Sequence, residues 1–136
     1  RATGVQARLL YGVLPEFDII TRSLRIINAG SGQIAVKKLA PACLDIVGGK
    51  YDFITFYGRH AMERNFQRLP IGHGISKIGS LRGTSSHQYN PAVIAADHET
   101  TEDTGACYAM AVANIEGFHS AAGGGAFGAH TLPQRF

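Results

Sequence analysis

Apolar and polar residues alternate at period two along much of the chain. Within 17–28, Ile20, Leu24 and Ile26 fall on one side while Thr21, Ser23 and Arg25 fall on the other, the pattern of a strand with one buried face. Arg22 interrupts the apolar side and requires a partner there. Upstream, the run Arg8-Leu9-Leu10-Tyr11-Gly12-Val13 is broken by Pro15 and Glu16, which predicts strand, turn, strand. Asn28-Ala29-Gly30-Ser31-Gly32 has turn chemistry, and a third strand is predicted over 33–44, paired with the second as an antiparallel hairpin.

Further along, Tyr51-Asp52-Phe53-Ile54-Thr55-Phe56-Tyr57 is dense in aromatic and β-branched residues and predicts a strand. Over 59–69 no apolar stripe recurs at three and four and Pro70 follows, so a second extended run is expected rather than a helix. The segment 72–90 reads as a strand followed by a long ordered loop, and 91–96 is apolar. An acid-rich connection covers 97–105, and 106–115 is apolar again, as strand or helix. Over 121–129 the pattern dissolves into small residues, Gly123-Gly124-Gly125 among them. Strands spaced roughly 8 to 12 residues apart imply an antiparallel sandwich or barrel.

At 136 residues the chain is one domain or part of one, and it is too short for a (β/α)₈ barrel of about 250 residues. Charged residues are 17% beside 45% apolar, which favours a buried core over disorder. The formal charge of +3 is dispersed, with no basic run longer than Lys37-Lys38, so no nucleic-acid partner is expected. No window approaches a membrane span and no apolar signal region follows Arg1, so no membrane partner is expected and the compartment is expected to be cytoplasmic. The first residue is not Met and the end, Leu132-Pro133-Gln134-Arg135-Phe136, carries no signal; an excerpt of a longer protein is expected. Cys43 and Cys107 lie in apolar runs without a CxxC partner, which predicts free, buried thiols.

Candidate chemistry concentrates in Arg82-Gly83-Thr84-Ser85-Ser86-His87-Gln88-Tyr89-Asn90-Pro91, where hydroxyls, an imidazole and an amide could bind a sugar or clamp a neighbouring domain. A nucleophile reading is weak, since no GxSxG elbow surrounds the serines; a loop held by its own side-chain to backbone bonds is the stronger reading. Asp97-His98-Glu99-Thr100-Thr101-Glu102-Asp103 offers oxygen ligands but lacks the glycine and terminal glutamate of an EF-hand, so no metal site and no cofactor are expected. Carboxyl pairs such as Asp45 with Asp52, or Glu99 with Asp103, have the chemistry for glycoside hydrolysis, and nothing singles one out. Arg59, Glu63 and Arg64 are expected to form a buried ion network.

Four segments, Tyr51-Asp52-Phe53, Gly58-Arg59-His60-Ala61-Met62-Glu63-Arg64, the run from Gly79-Ser80-Leu81 through Arg82 to Asn90-Pro91, and Thr100-Thr101-Glu102-Asp103, resemble in order the N-terminal domain of family 36 glycoside hydrolases. Phe17-Asp18-Ile19-Ile20-Thr21-Arg22-Ser23, Asn28-Ala29-Gly30 and Ala42-Cys43-Leu44-Asp45 are similar to the same domain. The resemblance covers nearly all of 10–118 and implies an all-β, antiparallel β-supersandwich of the galactose-mutarotase-like kind, incomplete here. It implies that residues 1–136 are part of the N-terminal domain of a retaining α-galactosidase acting on terminal α-galactosides of the melibiose and raffinose type. The aspartate nucleophile and aspartate acid/base would lie on a (β/α)₈ barrel absent from this chain, so no catalytic residue is placed and the fragment alone is expected to be inactive. Scaffolding, docking to its own barrel and homo-oligomer contacts are the implied roles. Arg82, Ser85, Ser86, His87 and Asn90 would form an ordered loop near the barrel or substrate. Ala92 replaces the family's phenylalanine after Asn-Pro and removes a large apolar contact. The alternative is a stand-alone carbohydrate-binding sandwich using Tyr51, Phe53, Tyr57 and Tyr89 as a sugar platform.

Overall fold

The computed structural model describes residues 4–36, 39–80, 87–113, 118–123 and 126–131. Ten strands form: β1 (Val5–Leu14), β2 (Ile19–Asn28), β3 (Leu39–Asp45), β4 (Tyr51–Arg59), β5 (Met62–Pro70), β6 (Ser76–Ser80), β7 (Tyr89–Asp97), β8 (Cys107–Ala111), β9 (Phe118–Gly123) and β10 (Ala126–Thr131). A single 3₁₀ turn, Pro15–Phe17, is the one helical element among the described residues. Every pairing among the described strands is antiparallel, so the all-β, antiparallel supersandwich class expected from the sequence is the class observed. The extended reading of 59–69 holds as β5, and within 106–115 residues 107–111 form a strand, β8.

Two four-stranded sheets carry the domain, one ordered β5-β4-β7-β8 and the other β3-β10-β9-β6. The core lies between them. Phe53 on β4 with Val93 and Ala95 on β7 meets Ile78 on β6, and Ile46, Ile71, Met110 and Val112 close the margins. β4 is central in its sheet and buried on both faces over Asp52, Phe53, Ile54 and Thr55, which explains its near-continuous run of strand-forming residues.

The third sheet is a ribbon of β1 and β2 in unbroken register from Val5↔Asn28 to Leu14↔Ile19. Here the structure corrects the expected hairpin between the second and third strands, because β2 pairs with β1 and β3 pairs with β10. The physical reason lies in the turn after β2. Asn28 Nδ2 donates to Gly32 O at 2.7 Å, Gly30 N donates to Asn28 Oδ1 at 3.1 Å, and Ala29 N donates to Gly4 O at 2.9 Å. These bonds close the ribbon end, and the third strand begins at Leu39 rather than 33.

Two further expectations are revised. Within the small-residue run, 121–123 belong to β9 and 126–129 to β10, whose backbones pair with each other, with β6 and with β3; sheet partners override the low intrinsic strand preference of glycine and alanine. Cys43 and Cys107 are free but exposed rather than buried, because β3 and β8 are edge strands of their sheets. No described helix is long and apolar enough to cross a membrane.

Candidate functional site

Two of the segments singled out in the sequence, 58–64 and the described residues from 87 on, meet at one end of β4. The β4–β5 connection at Tyr57–Met62 and the start of β7 lie side by side, with Tyr57 opposite Asn65 on one flank and opposite Tyr89 on the other. Gly58 N donates to Gln88 O at 3.2 Å, tying the hairpin to the residues that precede β7. An open groove of about 330 Å³ is lined here by Tyr57, Gly58, Arg59, Met62 and Asn65.

The hairpin tip is over-determined. Register slips by one residue between Tyr57 and Arg59, a bulge, and Ala61 and Arg64 adopt positive φ of 62° and 59°. Glycine is required at 58 because a Cβ there would collide with Met62 O and the Glu63 backbone. Asn65 Nδ2 donates to Met62 O at 2.8 Å and to Tyr57 O at 3.3 Å, and Glu63 Oε1 accepts from Ala61 N at 2.9 Å. Backbone bonds of this kind hold two non-glycine residues in a conformation they otherwise avoid. The expected buried ion network of Arg59, Glu63 and Arg64 is therefore corrected: all three are exposed. Glu63 binds backbone, and Arg59 Nε and Nη2 point at Met62 Sδ at 3.3 and 3.1 Å.

Of the loop residues proposed from sequence, Arg82, Ser85 and Ser86 lie outside the described residues. His87 is an exposed turn residue and Asn90 is half-buried within β7, so both flank the groove end of the sheet. Of the aromatic platform, Phe53 is core and Tyr51 packs edge-on against Tyr108 with ring centroids 6.3 Å apart. Only Tyr57 and Tyr89 stay exposed, as register partners beside the groove.

A second cluster, at the other end of β4, was not foreseen. Asp52 is 3% exposed, yet its carboxylate is satisfied: Arg68 Nε donates to Oδ2 at 2.6 Å, and His98 Nδ1 lies 3.0 Å from Oδ1. An ionised carboxylate only accepts, so the His98 proton sits on Nδ1. Burial pushes the Asp52 carboxyl up, but hydrogen bonds from His98 and Arg68 outweigh it and hold the group below its usual value. The Arg68 guanidinium also donates to Thr100 O at 2.8 Å, Asp97 O at 3.0 Å and His98 O at 2.9 Å. One side chain thereby fixes the start of the acid-rich connection, whose far part is closed by Thr101 and Thr104. Among the described residues no group of His, Cys, Asp and Glu could hold a metal. The sequence paired Asp52 with Asp45 as candidate carboxyls, whereas its real partners are 16 and 46 residues away. Arg68 opposite Ile54 is diagonal to Asp52 across the β4–β5 pair, a relation visible only once register is known.

The described residues form an antiparallel sandwich with a hydrogen-bonded β4–β5 hairpin at one end of its first sheet. The chain belongs to the glycosyl hydrolase family 36 N-terminal domain family, whose model matches residues 1–114. It is 62% identical over 106 residues to the bifunctional alpha-galactosidase/sucrose kinase AgaSK of Mediterraneibacter gnavus, covering 78% of this chain and 11% of that protein. Alpha-galactosidase Mel36A of Lactobacillus acidophilus is 41% identical over 113 residues, 83% of this chain and 15% of that one. Among solved structures, the alpha-galactosidase from Lactobacillus brevis superposes with a TM-score of 0.89 at 30% identity, covering 97% of this chain and 18% of that chain. A substituted form of the family 36 alpha-galactosidase AgaA from Geobacillus stearothermophilus, in complex with raffinose, gives a TM-score of 0.88 at 25% identity over 96% of this chain and 19% of that chain. The chain thus spans between a tenth and a fifth of the length of these relatives.

Proposed function

We propose that residues 1–136 are part of the N-terminal sandwich of a retaining α-galactosidase and serve it without supplying its catalytic groups. The observation that carries this reading is the family match over 1–114, on a chain whose one described buried carboxylate, Asp52, is already engaged by Arg68 and His98. Hydrolysis of terminal α-galactosides of the melibiose and raffinose type would then be carried out by two aspartates on a (β/α)₈ barrel elsewhere in the same polypeptide. The relatives' names, and raffinose bound to one of them, support that substrate class.

Within this reading the groove end of the first sheet is the docking end. His87 and Asn90 flank that end, Arg82, Ser85 and Ser86 are proposed to act with them, and the braced β4–β5 tip supplies the docking surface. Homo-oligomer contacts and a cytoplasmic location belong to the same proposal. Sequencing the coding DNA on both sides tests it: reading downstream into a barrel with the two aspartates is the expected result, and start and stop codons bracketing these residues contradict it.

A second reading, a stand-alone carbohydrate-binding module, is favoured by one observation, the exposed Tyr57–Tyr89 pair beside an open groove. Titration of galactose or raffinose against the domain decides it: saturable binding abolished by Tyr89→Ala supports the module, and no binding rejects it.

A further inference from the structure

The β1–β2 ribbon has two unlike faces. Register places Ala7, Leu9, Tyr11 and Val13 with Ile20, Arg22, Leu24 and Ile26 on one face, and Arg8 opposite Arg25 on the other, which mixes polar Gln6, Thr21 and Ser23 with apolar Leu10, Leu14, Ile19 and Ile27. The second face is mixed, and its centre is left to solvent, since the like charges of Arg8 and Arg25 directly opposite are tolerated only where water screens them. The first face is almost wholly apolar, yet Leu9, Tyr11, Val13 and Ile20 are 50%, 59%, 65% and 69% exposed. A two-stranded ribbon with such a face is not independently stable in water.

Arg22 stands in the middle of that apolar face. Its guanidinium carbon lies 5.2 Å from the Tyr11 ring centroid, and its Nε is shielded from solvent with no hydrogen-bond partner among the described residues. A shielded guanidinium N–H without an acceptor is a costly arrangement. Neither β1 nor β2 carries an acidic residue to relieve it. On the neighbouring β3 the carboxylate is Asp45, to which Arg22 makes no ion pair among the described residues; Tyr11 is the titratable group facing it from β1.

We infer that this face is covered by a further β-strand segment of the same enzyme chain, outside residues 1–136, which places one carboxylate against Arg22 amid apolar side chains. Charge complementarity identifies the acceptor: a cation in an apolar face is matched by an anion with bidentate geometry. Continuity identifies the source, because the relatives extend far beyond the part this chain matches, and in this respect the inference rests on the proposed function.

The test uses the full-length protein, with α-galactosidase activity recorded separately so that failure of the functional reading is seen by itself. Arg22→Met leaves the covering carboxylate buried and unpaired at neutral pH but relieved once it is protonated. The expected result is a melting temperature lowered by at least about 2–4 °C at pH 7.5, with the deficit shrinking toward pH 5. A deficit that is absent, equal at both pH values or larger in acid overturns the inference, even in an active enzyme. Hydroxyl-radical footprinting of the wild-type protein keeps the question open to refutation if the variant does not fold. Protection of Leu9, Tyr11, Val13 and Ile20 that persists on dilution is expected; labelling of these residues, or protection lost on dilution as for a second copy, contradicts it.

Discussion

Asp52 shows how a residue can be chemically conspicuous and structurally occupied. Its carboxyl is held below the ordinary value, so it contributes stability above the unfolded-state value of about 3.9 and loses that contribution as pH falls through the folded-state value. Asp52→Asn should cost on the order of 2 kcal/mol at pH 7, below the full cost of breaking a buried pair because Arg68 and His98 are partly exposed. Thermal melts of wild type and variant from pH 7 to pH 3 should converge below about pH 4, and a constant gap would show that the charge is not what matters. Gly58 is the second residue-scale prediction. Gly58→Ala drives a methyl group into Met62 O and should destabilise by about 1–3 kcal/mol, whereas Gly72→Ala, with open space around it, should change stability by less than about 0.5 kcal/mol; chemical denaturation separates the two.

Among elements, the connection after β7 depends on Arg68. Its guanidinium reaches the carbonyls of Asp97, His98 and Thr100 while holding Asp52, and a lysine ammonium cannot span that fork. Arg68→Lys should therefore speed limited proteolysis within 98–105 several-fold while cleavage elsewhere is unchanged; uniform acceleration would mean global loosening instead. Alternation made β2 legible and a density of strand formers β4, while β5 was legible only through the lack of a helical stripe and the proline that ends it. What it could not supply was pairing. Ile20, Leu24 and Ile26 fix a face but not a neighbour, so the third strand was expected beside β2 when the hydrogen bonds of Asn28 close the ribbon and β10 takes β3. The same gap hid the Asp52 cluster, whose members come from three separate places in the chain. β9 and β10, built largely of alanine and other small residues, carry little local signal and form through their partners.

At the scale of the whole molecule, two sheets enclose a core small for 136 residues, with Val93 the one fully buried large side chain among those described. Around it many large apolar side chains face solvent: Phe66 beside Phe56 on the outer side of the first sheet, and the β1–β2 ribbon. The isolated chain should thus self-associate at micromolar concentration, read as mass increasing with concentration in sedimentation; a soluble monomer with a cooperative thermal transition would contradict that. The central claim is tested most directly by comparing aryl α-galactoside hydrolysis by the full-length protein with that by residues 1–136 alone. Turnover with retained anomeric configuration is expected in the former and none in the latter. Activity in the isolated chain that survives repurification, or a full-length protein inert toward α-galactosides, would contradict it.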